Sequence, residues 1–310
     1  MIARDSSYVR TPVNSPHNKD GSINYVAQRQ LFRFLRTYGI SDFFLCSTTG
    51  EVEVQHDKDR KEQIELIPDQ KKDNETWLVG TGHPVPSMSR SLGVYALGNG
   101  ADAAIVVTPD FWPGCDRYNF EKYFNEALDV GGPVYMYDNP KKNRLTVGFV
   151  EKMANRFQNL KGLKSGNLHL LFDCQDRMGK NFETSCGDDR FILAAASENL
   201  PVTSGWSNCF PKAVRYIVSQ ASKENSKAAI VQDALCHLIE DTMGSPEKFG
   251  GKAPHPVALQ KAAFKFIPGM SQEIEMGAPH AYDPVSEGSL GYLRDMIEEF
   301  LGVIEEVKIE

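Results

Sequence analysis

Lys164 is the first residue whose type and place suggest chemistry. It lies in Leu160-Lys161-Gly162-Leu163-Lys164-Ser165, a short run that reads as a buried strand. Lysine is depleted in strands and almost never fully buried without a purpose. Lys161 and Lys164 are three apart, so they face opposite sides, and Lys164 shares its face with Leu160 and Gly162, the glycine leaving room beside it. A desolvated amine can condense with a carbonyl compound to an imine; the ordinary alternative is a lysine on a solvated rim. Ser47-Thr48-Thr49-Gly50-Glu51 pairs a turn-forming glycine with two hydroxyls. Converging backbone N–H groups and threonine donors suit a carboxylate, although a capped turn gives the same pattern. Tyr135 and Tyr137 share one face of a strand that runs into Asp138-Asn139-Pro140. A phenol there can move a proton, or simply pack with its hydroxyl in water. Cys186-Gly187-Asp188-Asp189 and Thr203 through Asn208 follow two later apolar runs. They stand where substrate contacts would be, with Asp189 a candidate helix cap.

Positioning these groups requires strand ends, and the pattern supplies eight. Strands are expected at Tyr8–Val13, Asp42–Cys46, Thr76–Gly80, Ala103–Val107, Val134–Tyr137, Leu160–Lys164, Phe182–Cys186 and Pro201–Ser204. Helices are expected over Asn24–Tyr38 (with Val26, Leu31, Phe34 and Leu35 as its apolar face), Asp57–Ile67, Pro86–Leu97, Tyr118–Val130, Val147–Arg156, Leu168–Met178, Asp189–Ala196 and from Pro211. Eight βα units in about 220 residues predict an α/β fold, a closed (β/α)8 TIM barrel over residues 1–223. Residues 224–310 read as a C-terminal helical extension of three helices, the last striped by Leu293, Met296, Phe300, Leu301 and Ile304. Active sites of such barrels lie at the C-terminal ends of the strands, where the residues above fall.

Bulk properties remove several alternatives. The 310 residues are 41% hydrophobic and 24% charged, which is ordinary for a globular protein. A net charge of −7 argues against nucleic acid and anionic membranes as partners. No apolar run approaches the ~20 residues of a membrane span, and the first ten residues lack the apolar stretch of a signal peptide. Six scattered cysteines without a CxxC pair read as reduced thiols of a cytoplasmic protein, and Cys46 and Cys186 as small core hydrophobes. No two histidines pair at ligand spacing, and Gly80-Thr81-Gly82 lacks the third glycine of a dinucleotide fingerprint. His83 reads as a hydrogen-bonded loop residue at the barrel mouth. Neither a metal nor an organic cofactor is expected.

Taken in order, these segments resemble the dihydrodipicolinate synthase / N-acetylneuraminate lyase family. Thr11-Pro12 and Asp20-Gly21 look like its opening. Ser47-Thr48-Thr49-Gly50-Glu51 looks like its GTTGE or GSTGE signature, Tyr137-Asp138-Asn139-Pro140 like its YNxP segment, and Gly162-Leu163-Lys164-Ser165 like its Schiff-base lysine segment. The resemblance implies a homotetrameric barrel that joins a pyruvate-type 2-oxo acid to an aldehyde, or releases them. It makes Lys164 the imine-forming nucleophile and Tyr137 the proton shuttle. Thr48 and Thr49 hold the carboxylate, and Gly187 and Thr203 line the site through backbone groups. Two positions depart from the synthase pattern. Lys142 stands where its arginine is expected, with Arg144 displaced, and lysine is the poorer bidentate clamp. Phe111 replaces a tyrosine and carries no hydroxyl. Both point toward a 2-keto-3-deoxy sugar acid as substrate. The alternatives are dihydrodipicolinate synthase or N-acetylneuraminate lyase activity, and a non-catalytic member that binds a 2-oxo acid.

Overall fold

A computed structural model of the chain describes residues 8–109, 117–140, 143–223, 225–251, 255–267, 276–278 and 285–309. Eight strands close into one parallel barrel in sequence order. They are β1 (Val9–Pro12), β2 (Asp42–Leu45), β3 (Thr76–Gly80), β4 (Ala103–Val107), β5 (Val134–Asp138), β6 (Leu160–Ser165), β7 (Glu183–Cys186) and β8 (Val202–Thr203). Every expected strand is present, with ends within two residues of expectation. Between and after them run α1 (Tyr25–Thr37), α2 (Asp57–Ile64), α3 (Ile67–Gln70), α4 (Pro86–Gly98), α5 (Arg117–Ala127), α6 (Val147–Arg156), α7 (Leu168–Met178), α8 (Ile192–Ser197) and α9 (Pro211–Gln220).

Two helix expectations change. The helix expected over Asp57–Ile67 is broken in two, because Pro68 has no N–H and its ring would meet the carbonyl four residues back. Val26 is 68% exposed. Asn24 caps α1 by accepting from the Ala27 amide, and the inward face is then Ala27, Leu31, Phe32 and Leu35.

The barrel has two apolar compartments. One core lies between strands and helices; a smaller one, made of Phe44, Leu78, Ala103, Ile105 and Tyr137, fills the barrel itself. The floor of the barrel is polar. Arg10 donates to Asp42 at 2.8 Å and to Glu183 at 3.1 Å, and Tyr8 donates to Glu183 at 2.6 Å. Gly162 belongs to this floor: a β-carbon there would lie 2.2 Å from the Glu183 carbonyl and 2.7 Å from the Tyr135 ring. The room it leaves is therefore taken by Tyr135, not by Lys164.

The extension is α10 (Ser226–Gly244), α11 (Pro256–Ala263) and α12 (Glu287–Val307). Of the expected α12 stripe Leu293 and Phe300 are buried and Met296, Leu301 and Ile304 partly so, Ile297 is buried beside them, and the Phe300 ring meets Phe210 edge-on at 4.8 Å. The apolar core thus runs without a break from the barrel into the extension.

Candidate active site

Parallel register sets Tyr137, Lys164 and Ser185 side by side on β5, β6 and β7. Lys161 is exposed, whereas Lys164 is only 6% exposed. Its Nζ sits 3.6 Å from the centroid of the Tyr137 ring. This stacking holds the amine against an aromatic face and leaves the phenol oxygen to other partners. Gly187 closes the other side: a β-carbon there would come within 2.8 Å of Lys164 Nζ. The Gly187 amide is spent on the Ser165 carbonyl at 2.8 Å. Gly187 therefore serves the amine by having no side chain. Thr203 is buried and shares a 2.8 Å hydroxyl–hydroxyl hydrogen bond with Ser185, so its side chain supports the neighbour of Lys164.

Thr48 and Thr49 stand half-buried in the turn after β2. The turn closes on itself. Gly50 N–H donates to Ser47 Oγ at 2.9 Å, Glu51 N–H to the Thr48 carbonyl at 3.0 Å, and Val52 N–H to the Ser47 carbonyl at 3.2 Å. With those three amides engaged, the donors this turn presents are the threonine hydroxyls and the Thr48 and Thr49 amides. A cavity of about 340 Å³ opens beside it, at the lower end of the usual size for small-molecule sites. Thr48, Tyr137, His83, Thr108 and Arg60 are among its lining residues. Lys164, Thr49, Gly187 and Thr203 are not, so Tyr137 is the side chain common to the cavity and the lysine. His83 accepts from the Val85 amide at 3.0 Å, as a loop histidine would. Cys46 and Cys186 are buried, and burial pushes each thiol up to about 11. Phe111 and Lys142 lie outside the described residues.

One assignment made from sequence needs correction. Asp189 is not the cap of the following helical turn; Asp188 is, accepting from Arg190 N–H at 3.0 Å. Asp189 instead reaches across to β8. It accepts from the Ser204 hydroxyl and from the Gly205 amide at 3.2 Å, and burial pushes its carboxyl up to about 6. Arg144, displaced from the arginine position of the synthase pattern, is engaged elsewhere. It grips the fully buried Asp138 with two nitrogens, Nε at 3.0 Å and Nη2 at 2.8 Å.

Asp138 was visible in sequence only as a variant letter of the YNxP segment. Besides Arg144 it accepts from Leu145 N–H at 2.9 Å and from the Ser165 hydroxyl at 2.7 Å. It therefore ties the ends of β5 and β6, one residue beyond Tyr137 and Lys164, to the loop before α6. Asp138→Ala would strand a buried hydroxyl and an amide and free the arginine. Since Arg144 is 42% exposed, the full cost of breaking a buried pair does not apply, and a loss of about 3 kcal/mol is expected. Asp138→Asn, which keeps the shape, should lose less. Urea unfolding checks both; an Asp138→Ala protein as stable as the parent would refute this role.

Comparison with known proteins is consistent with the fold and the motif order. Residues 5–253 match the model of the dihydrodipicolinate synthetase family. The 4-hydroxy-tetrahydrodipicolinate synthase of Bartonella bacilliformis is 25% identical over 248 residues, 78% of this chain and 84% of that protein. A probable 2-dehydro-3-deoxy-D-pentonate aldolase of Escherichia coli is 26% identical over 190 residues, 59% of this chain and 63% of that protein. Among solved structures, the sialic acid aldolase of Ruminococcus gnavus superposes with a TM-score of 0.85 at 16% identity, covering 98% of this chain and all (100%) of its own. No helix among the described residues is long and apolar enough to cross a membrane, and none of their side chains cluster as a metal site. The eight-stranded barrel and the match over residues 5–253 place the chain in the dihydrodipicolinate synthetase family of lyases and aldolases.

Proposed function

We propose that this protein is a Schiff-base aldolase that cleaves or forms a carbon–carbon bond to a pyruvate-type 2-oxo acid, and that its substrate is a 2-keto-3-deoxy sugar acid. The observation that carries the reading is Lys164: a buried amine stacked on Tyr137, with Gly187 leaving it space. The amine adds to the C2 carbonyl and water leaves, giving a protonated imine. Tyr137 accepts the proton of the C4 hydroxyl as it passes its own phenolic proton to water, the C3–C4 bond breaks, and its electron pair moves into the imine. The aldehyde departs, the resulting enamine is protonated at C3, and water releases pyruvate and the free amine. Thr48 and Thr49 fix the carboxylate before these steps. No cofactor is needed, because the imine is the electron sink.

The sugar-acid reading rests on Phe111 and Lys142, which depart from the synthase pattern, and agrees with the similarity to a probable deoxy-pentonate aldolase. Incubation with a panel of 2-keto-3-deoxy sugar acids, with pyruvate read by coupled reduction, tests it. Pyruvate release from at least one is expected; release from none, with condensation on aspartate semialdehyde instead, would replace it by the synthase reading. We further propose a cytoplasmic homotetramer, for which light scattering after size-exclusion chromatography is the measurement.

Gly187→Ala probes the site from the side of the amine. Its β-carbon would sit 2.8 Å from Nζ, so the lysine must shift while the backbone stays. A displacement of about 1 Å at a reacting atom costs up to ~100-fold. Turnover is expected to fall by that order with unfolding unchanged; full activity would show that Gly187 does not border the reacting amine.

A further inference from the structure

The turn that carries Thr48 and Thr49 is gripped from outside the barrel. Glu51, its last residue, is 3% exposed and adopts a left-handed backbone, φ 62°, a conformation that costs a non-glycine residue roughly 1 kcal/mol. Its carboxylate accepts from Lys261 Nζ, on α11 of the extension, and lies 3.6 Å from His17 Nδ1. Lys261 Nζ is also 3.0 Å from His17 Nδ1, and all three side chains are buried. The adjacent Gln260 holds the same turn by a second route: its Oε1 accepts from Asn14 Nδ2 at 3.2 Å, and that nitrogen also donates to the Thr49 carbonyl at 3.1 Å.

Such a pair is a poor stabiliser. Burial pushes Glu51 up to about 7 and Lys261 down to about 8, and Glu51 Oε1 is left without a partner among the described residues. Removing two charges from water roughly cancels their attraction, and what a buried pair does supply is a fixed geometry. Here the geometry fixed is that of the turn that carries Thr48 and Thr49.

We propose that Lys261 and Gln260 are positioning residues for the substrate carboxylate: α11 holds the Thr48–Glu51 turn in its ligand-binding shape through the Lys261–Glu51 pair and the Gln260–Asn14–Thr49 chain. This rests on the reading of Thr48 and Thr49 as the carboxylate site. The C-terminal extension is then part of the binding machinery through the turn that α11 holds.

The test uses full-length protein, pyruvate and borohydride, with mass spectrometry of the Lys164 peptide, alongside hydrogen exchange of the amides from Ser47 to Val52. For Lys261→Met, the pyruvate concentration that half-saturates labelling is expected to rise at least about tenfold, while labelling at saturation stays within about threefold. Exchange in the turn should quicken, and Lys261→Arg should restore most of both. If Lys261→Met does not fold, Gln260→Ala carries the same expectation at about threefold. Unchanged half-saturation together with unchanged exchange overturns the proposal. If the parent itself is never labelled, the imine reading fails, and the exchange data still decide whether α11 holds the turn.

Discussion

Lys164→Ala is expected to abolish both borohydride-trapped adduct and turnover, with activity falling at least about a thousandfold. Lys164→Arg should not rescue, because a guanidinium stays protonated and forms no imine at neutral pH. Stability should change little. The substitution removes a stacking contact worth roughly 0.5–2 kcal/mol, and it also removes a buried amine that was costly to desolvate. The measurement is a pyruvate-release assay paired with mass spectrometry of the trapped protein. An adduct that persists on another lysine, or an alanine protein with a tenth of parental activity, would end the assignment.

That the lysine could be singled out from sequence follows from strand geometry. Period two and the apolar neighbours put Lys161 and Lys164 on opposite faces, and the structure has one exposed and the other buried; Leu160, expected on the face of Lys164, instead joins the core between strands and helices, across a register shift at the start of β6. The same logic located all eight strands, because a parallel barrel strand is buried on both sides and reads as a short apolar run. What stayed hidden depends on contacts between segments far apart in the chain. Nothing local says that Asp138 pairs with Arg144 and Ser165, because a carboxylate after a strand reads equally as a loop residue. Nothing local joins Glu51 to Lys261, 210 residues away. Asp189 was misjudged for the same reason: proximity along the chain favoured a cap, while its partners came from β8. Gly162 shows the limit from the other side. Its need for space was legible, but the claimant, Tyr135, was not.

The Tyr137 hydroxyl is tested by Tyr137→Phe, which deletes one oxygen and keeps the ring under Lys164. The stacking at 3.6 Å depends on the ring face, so the amine should stay in place and pyruvate should still form the imine. The proton transfer at the C4 hydroxyl has then lost its base, and general acid–base groups contribute typically 10²–10⁴-fold. Cleavage should therefore fall by about that factor, more than labelling by pyruvate does. Tyr135→Phe is the control. Its side chain shares the inner face, but its hydroxyl reaches Glu183 at 3.4 Å on the barrel floor, two residues below the mouth. Turnover should change less than about threefold there. Comparing kcat for the two variants decides the matter. Equal losses would mean that any phenol in the barrel interior matters only for packing. A large loss confined to Tyr137, with labelling retained, assigns the proton transfer to the residue that both borders the cavity and carries the lysine.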